Sequence, residues 1–275
     1  MAGRVASVAA GQSDGRTYAS VGFVRIAQLI PVDQEVLTVP IGTSAGAALE
    51  LMAEHEFDQL PVVNRRGRVI GTFTHRSFAN QLRFLRRQDD PRMAFVDDLV
   101  EPLRFVPLAD SLQDTLRWID KDNAVLVGDE QLLLAIVTAA DVSRFLWQRT
   151  RPFVLVQEIE LATRELMRSA CSGAQLAQCV VAALPDEDGH RSSAQLDELT
   201  MRELHSVLLN KTSYGRHFRG TFGQSRELVQ STLEPVSEIR NKIVHFRGTV
   251  SEDEVNTLLR ASAWLRHRTM IAEEA

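Results

Sequence analysis

The rhythm of apolar and polar positions changes about half-way along the chain. Between residues 36 and 148, short β-branched runs alternate with amphipathic helical stretches, whereas beyond Arg149 spacings of three and four prevail. Residues 60–74 read as two short strands around a polar Arg-Gly turn, followed by a helix from Ser77 to about Arg86. Sixty-four positions later, residues 124–138 repeat that plan, residues 139–148 supply the helix, and Thr74 aligns with Thr138. Upstream of each strand pair lies an amphipathic stretch, 45–55 and 111–119, preceded by a short apolar strand at 36–39 and 105–106. Duplication of a β-α-β-β-α unit is the simplest account.

The second half predicts helices only. Residues 154–170 set Leu155, Ile159, Ala162 and Leu166 on one stripe, with Glu158, Glu160 and Arg164 elsewhere. Residues 174–184 extend the helical pattern, 185–193 form a polar loop, and Thr200 with Glu203 reads as a capping box for a helix to Leu209. Residues 210–220 look irregular and mildly basic, with Tyr214 and Phe218 between Lys211, Arg216 and Arg219. A helix over 223–246 buries Val229, Leu233, Val236, Ile239, Ile243 and Phe246, and carries Glu238, Asn241 and His245 on a polar stripe beside Arg240. Ser251 and Glu254 open a last helix, to 273. The expected class is α+β: a tail at 1–18, repeats at 19–87 and 88–150, and an all-α domain at 151–275.

Composition narrows the possible partners. The chain has 275 residues, 44% of them hydrophobic, enough for proper cores. Its formal net charge of -5 argues against wholesale capture by nucleic acid or anionic membrane, so any nucleic-acid site is local. No run approaches the roughly 18 apolar residues that span a bilayer, and the expectation is a cytoplasmic protein with no membrane partner. Cys171 and Cys179 are too few and too oddly spaced for a disulfide framework or a zinc site, and read as structural thiols.

The repeats also carry candidate chemistry. A strand ending at Thr138 with a helix starting nearby presents backbone N–H groups and a hydroxyl to an anion, and Asp141, one turn on, suits ribose hydroxyls. The same two residues equally suit an ordinary helix start. The first repeat keeps Thr74 but has Ser77 where the aspartate would be, so its cleft should bind ribose less well or not at all.

Leu49-Glu-Leu-Met52, Leu60-Pro-Val-Val63, Gly67 and Val69-Ile-Gly-Thr-Phe-Thr74 together resemble a CBS domain, and the second copy makes a CBS pair. The resemblance implies a pseudo-twofold disc whose clefts bind adenosine-containing ligands, commonly AMP, ADP or ATP, as regulators. It assigns Thr138, Asp141 and Thr74 to ligand binding. In the second repeat, Ala135-Ile-Val-Thr138-Ala-Ala-Asp141 departs from the family motif at its glycine.

Glu238-Ile-Arg240-Asn241-Lys-Ile-Val-His245-Phe, on the penultimate predicted helix, resembles the signature of HEPN domains over about 152–272. That resemblance implies a homodimer and, in many members, metal-independent endoribonuclease activity, with Arg240, Asn241 and His245 as the site. Cleavage by a ribose 2′-hydroxyl needs a proton-moving group near neutral pKa and a cation for the transition-state charge, roles that fit His245 and Arg240. Five positions on a helix differ by roughly 140°, so a twofold pair of helices would assemble the site more readily than one helix. No acidic metal cluster is visible, so no metal is expected. A solvated helix face with Glu238 and Lys242 as an i, i+4 pair accounts for the same residues.

The combined expectation is a nucleotide-sensing CBS pair that controls an RNA-cleaving HEPN bundle, with residues 142–148 and 150–152 as the coupling joint. A non-catalytic sensor or adaptor, whose bundle dimerises or binds a protein, is the alternative. A CBS pair without ligand, stabilising a constitutive nuclease, is the third.

Overall fold

The computed structural model describes residues 3–4, 24–31, 34–82, 90–184 and 195–274. Parts of the expected tail and of the helix after Ser77, and the whole of the 185–193 loop, lie outside the described residues. The chain divides into two compact units, residues 1–146 and 147–275.

In the first unit the duplicated pattern becomes two small sheets. Strands β1 (Gly3–Arg4), β2 (Leu37–Pro40), β3 (Gln59–Val63) and β4 (Val69–Thr74) form one, and β5 (Phe105–Val106), β6 (Ala124–Gly128) and β7 (Leu133–Thr138) the other. In both, the first strand of the repeat runs parallel to the second and the second antiparallel to the third, as a β-α-β-β order requires. The parallel crossovers are helices α1 (Ala45–His55) and α3 (Leu112–Asp122). Each ends on a left-handed residue, Glu56 at φ 56° and Asn123 at φ 63°. Helices α2 (His75–Gln81) and α4 (Ala139–Ala170) start directly after β4 and β7.

The register refines the repeat. Thr74 pairs with Gln59 and Thr138 with Ala124, so the threonines are sixty-four apart but the strands opposite them sixty-five. The first hairpin is one residue longer, and Phe57 and Asp58 follow Glu56 with no counterpart after Asn123.

The cores reveal an exchange between the repeats. Ile26 and Leu29 pack with Val106, Leu112, Ile119 and Val125 of the second repeat, while Val96 and Leu99 pack with Val39, Ala48, Met52 and Phe73 of the first. Backbone bonds fix both crossings: Leu112 N–H donates to the Val24 carbonyl at 2.8 Å and Ala45 N–H to the Ala94 carbonyl at 2.7 Å. Val36, Val69, Leu103, Ala124, Leu126 and Leu133 form a third cluster joining the sheets.

The second unit is helical: the later part of α4, α5 (Gly173–Ala183), α6 (Met201–Leu209), α7 (Lys211–Ser213), α8 (Arg219–Phe222), α9 (Arg226–Val244) and α10 (Glu252–Glu273). The Thr200–Glu203 and Ser251–Glu254 capping boxes form as the spacing predicts. Four expectations need correction. Helix α4 runs unbroken through 150–152 with Pro152 inside it, where a joint was expected. Residues 211–220 are helical after the cap residue Asn210, with a π turn at Tyr214–Phe218, because Tyr214 and Phe218 are core residues rather than loop aromatics. Arg164 is buried, since its guanidinium donates to the Leu196 and Leu199 carbonyls at 3.0 Å each and pairs with Glu160. Phe246 is 92% exposed, because α9 stops at Val244 and a φ of 50° turns Phe246 off the apolar stripe.

Candidate functional site

In the first unit, the end of β7 and the start of α4 border a cavity of about 550 Å³, a volume that suits a small-molecule ligand. Thr138 lines it from the end of β7, Asp141 and Arg144 from α4, Leu37 from β2 with Val36 just before it, and Phe57 and Asp58 from the insertion after α1. Thr138 and Asp141 lock into a reciprocal cap. Asp141 Oδ2 accepts from the Thr138 N–H at 2.9 Å and hydroxyl at 2.7 Å, while Asp141 N–H donates to Thr138 Oγ1 at 3.2 Å. Arg144 donates to Asp141 Oδ1 at 3.2 Å. The Ala139 N–H donates to the Asn123 carbonyl at 3.1 Å. The expectation of open donors at this helix start therefore needs correction: a carboxylate of the chain already takes the donors of Thr138.

Thr74 does not line this cavity. It caps α2 with Ser77, whose N–H donates to Thr74 Oγ1 at 2.8 Å and whose Oγ accepts from Thr74 N–H at 2.9 Å. The Thr74 hydroxyl then donates to Glu101 Oε1 at 2.8 Å, and Arg76 pairs with the same carboxylate at 3.2 Å. Glu101 also seals the strand edge through two backbone bonds with Thr72, at 2.9 and 3.0 Å. Its neighbour Val100 lies so close that a Cβ on Gly71 would come within 2.8 Å of it. Both Thr72 and Thr74 are consequently buried.

At the equivalent point of the second repeat, two residues before Thr138, the Ile136 carbonyl accepts from the Gln34 side chain at 3.2 Å. Gln34 Oε1 is buried with no partner among the described residues, and both residues line the cavity. Sequence reading found neither Glu101 nor Gln34, because each acts across a long stretch of chain on a backbone edge and leaves no local spacing.

Each of the two β-α-β-β-α repeats has a threonine at its strand-to-helix junction, and the family comparison matches the first of them. Residues 26–83 match the CBS domain. Solved structures similar to part of the chain include the CBS-domain protein ATU1752 from Agrobacterium tumefaciens, 17% identical, covering 47% of this chain and 98% of that one with a TM-score of 0.42. The CBS domain pair of MJ0100, in complex with 5′-methylthioadenosine and S-adenosyl-L-methionine, is 18% identical and covers 46% and 97% with a TM-score of 0.38. CBSX2 in complex with AMP is 25% identical and covers 46% and 98% with a TM-score of 0.39. No curated protein matches the chain.

The CBS match leaves the helical unit uncovered, and its three predicted site residues do not share a cavity. Arg240 lines a pocket of about 240 Å³ with Phe153, Leu161 and Arg164. Asn241 lines another, of about 440 Å³, with Arg202, His205 and Ser237. Arg240 reaches Asn241 Oδ1 at 3.4 Å. His245 is the exposed C-cap residue of α9 and lines neither. Lys242 pairs with Glu254 at 2.8 Å, in place of the expected partner Glu238. Tyr214 and Phe218 are buried and have no face for a nucleobase.

One pair in this unit escaped the sequence reading. His205 is buried on α6, its Nδ1 2.9 Å from Ser237 Oγ, and its Nε2 has no partner among the described residues. Burial pushes its pKa from 6.5 down to about 4, so the ring is neutral at pH 7. The available signal was its place between Met201, Leu204 and Leu208 on the apolar stripe. Among the described residues no helix is long and apolar enough to cross a membrane, and no group of three or more His, Cys, Asp or Glu side chains is placed to hold a metal.

Proposed function

We propose that the first unit is a regulatory module that binds an adenosine-containing ligand in the cavity of Thr138 and Asp141. The observation that carries this reading is the cavity itself, which joins Asp141, a carboxylate with only 16% of its side chain exposed, to Gln34, whose amide oxygen has no partner among the described residues, and to an apolar wall from Val36 and Leu37. Ribose hydroxyls donate to a carboxylate, and an exocyclic amine donates to an amide oxygen, so a nucleoside satisfies both. The CBS match over residues 26–83 supports the same ligand class. Titration of the full chain with adenosine tests it. Binding that Asp141→Asn weakens about a hundredfold, at unchanged melting temperature, supports the reading; equal binding by both chains rejects it.

For the second unit the reading is a homodimeric, metal-independent endoribonuclease in which Arg240, Asn241 and His245 of paired α9 helices act on RNA. Exposed apolar side chains on α4 and α9, Phe153, Leu161 and Val244, support pairing through that face. His245 moves the proton of the 2′-hydroxyl and Arg240 stabilises the phosphorane-like charge. The test is incubation of the protein with cellular RNA in EDTA, with and without adenosine or AMP, beside His245→Ala. Cleavage that the substitution abolishes supports the nuclease. Intact RNA throughout, with a stable dimer, favours the adaptor.

A further inference from the structure

We infer that the second-repeat cavity selects among adenosine derivatives by charge, taking neutral or cationic nucleosides, such as sulfonium S-adenosyl compounds, and disfavouring phosphorylated ones. The inference rests on the cavity reading above and names the ligand class. Among the described residues, three carboxylates, Glu56, Asp58 and Asp141, line the cavity with one guanidinium, Arg144. Arg144 is itself held on Asp141 at 3.2 Å, so an incoming phosphate would have to compete for it with a carboxylate already in place. The usual compensation at a helix start is reduced too. Thr138 spends its N–H and hydroxyl on Asp141 Oδ2, and the Ala139 N–H goes to the Asn123 carbonyl.

Each added phosphate therefore brings negative charge into a predominantly negative cavity, and a sulfonium brings the opposite. Glu56 and Asp58 are the informative pair. Glu56 sits at the left-handed end of α1, where the second repeat has the uncharged Asn123, and Asp58 lies in the insertion that the second repeat lacks, so both charges come from the first repeat alone. Both are exposed, and salt screens their effect without removing it across a single cavity.

The test is isothermal titration of the full chain, in magnesium-free buffer at pH 7.5 and low salt, with S-adenosylmethionine, adenosine, AMP and ATP. The expected result is S-adenosylmethionine at least as tight as adenosine, and ATP at least tenfold weaker than adenosine. A Glu56→Gln/Asp58→Asn chain should narrow the adenosine-to-ATP ratio at least threefold, with its melting temperature unchanged. AMP or ATP binding as tightly as adenosine, or a ratio that the double substitution leaves in place, overturns charge selection while the cavity reading stands. Failure of all four ligands to bind overturns both.

Discussion

Thr74 and Thr138 occupy the same place in two copies of one unit, and both build a reciprocal cap with the residue three positions on. Their surroundings differ. Glu101 crosses onto the first repeat, bonds Thr72 through its backbone, takes the Thr74 hydroxyl with its carboxylate and buries both. On the second repeat the matching edge meets a side-chain bond from Gln34, and a cavity remains beside Ile136 and Thr138. A strand-to-helix junction thus offers a ligand only what the rest of the fold leaves uncovered. Gly71 fits the same logic: it admits Val100 in the first repeat, and Ala135 stands at the matching position in the second.

The largest expected effect breaks this comparison at its open end. Asp141→Ala should weaken adenosine about a hundredfold or more, the scale of two hydrogen bonds to a charged group, whereas Ser77→Ala should leave it within twofold. Calorimetry on both chains, with a stoichiometry of one ligand per chain in the wild type, checks this. A stoichiometry of two would show that Glu101 does not close the first site.

Acid provides the next handle, because it acts on the helical unit through His205. His205 is neutral when folded, with a pKa near 4 against 6.5 when unfolded. Its stabilising contribution is fully present above pH 6.5 and is lost as pH falls toward 4. Between pH 7.5 and pH 5 the loss should be about 2 kcal/mol, read as a denaturation midpoint that falls with pH. His205→Gln should flatten that part of the profile.

The smallest effect sharpens the closed end. Ser77→Asp copies the second-repeat motif into the first but sets a second carboxylate near Glu101. It should cost about 1 kcal/mol by chemical denaturation and leave the stoichiometry at one. If a second molecule binds, residue 77 alone separates the two clefts and Glu101 is incidental.

Much of this architecture was legible in the sequence. The β-branched runs at 60–74 and 124–138 specified the hairpins, and Thr200 and Ser251 marked helix starts that form as expected. What stayed hidden is long-range. Arg164 looked like a surface charge until two carbonyls some thirty residues away accounted for its burial. Phe246 kept helical phase on paper, and only the left-handed turn after Val244 removed it from the core. At the candidate site, Thr138 and Asp141 could be chosen from their motif, but whether their donors were open depended on a hydrogen-bond pattern that spacing does not encode. His205 and Ser237 lie on different helices, so their pairing had no linear signature.

The exchanged lead-in segments bear on how this chain can be divided. A gene cut between the repeats would leave Ile26 and Leu29 without the pocket they fill, and would leave the other fragment with a hollow where they belong. Each half would also lose the partner of Val96 and Leu99 or the segment that carries them. The copies count as two in ancestry and as one in folding, so fragments of this unit should be drawn around the pair.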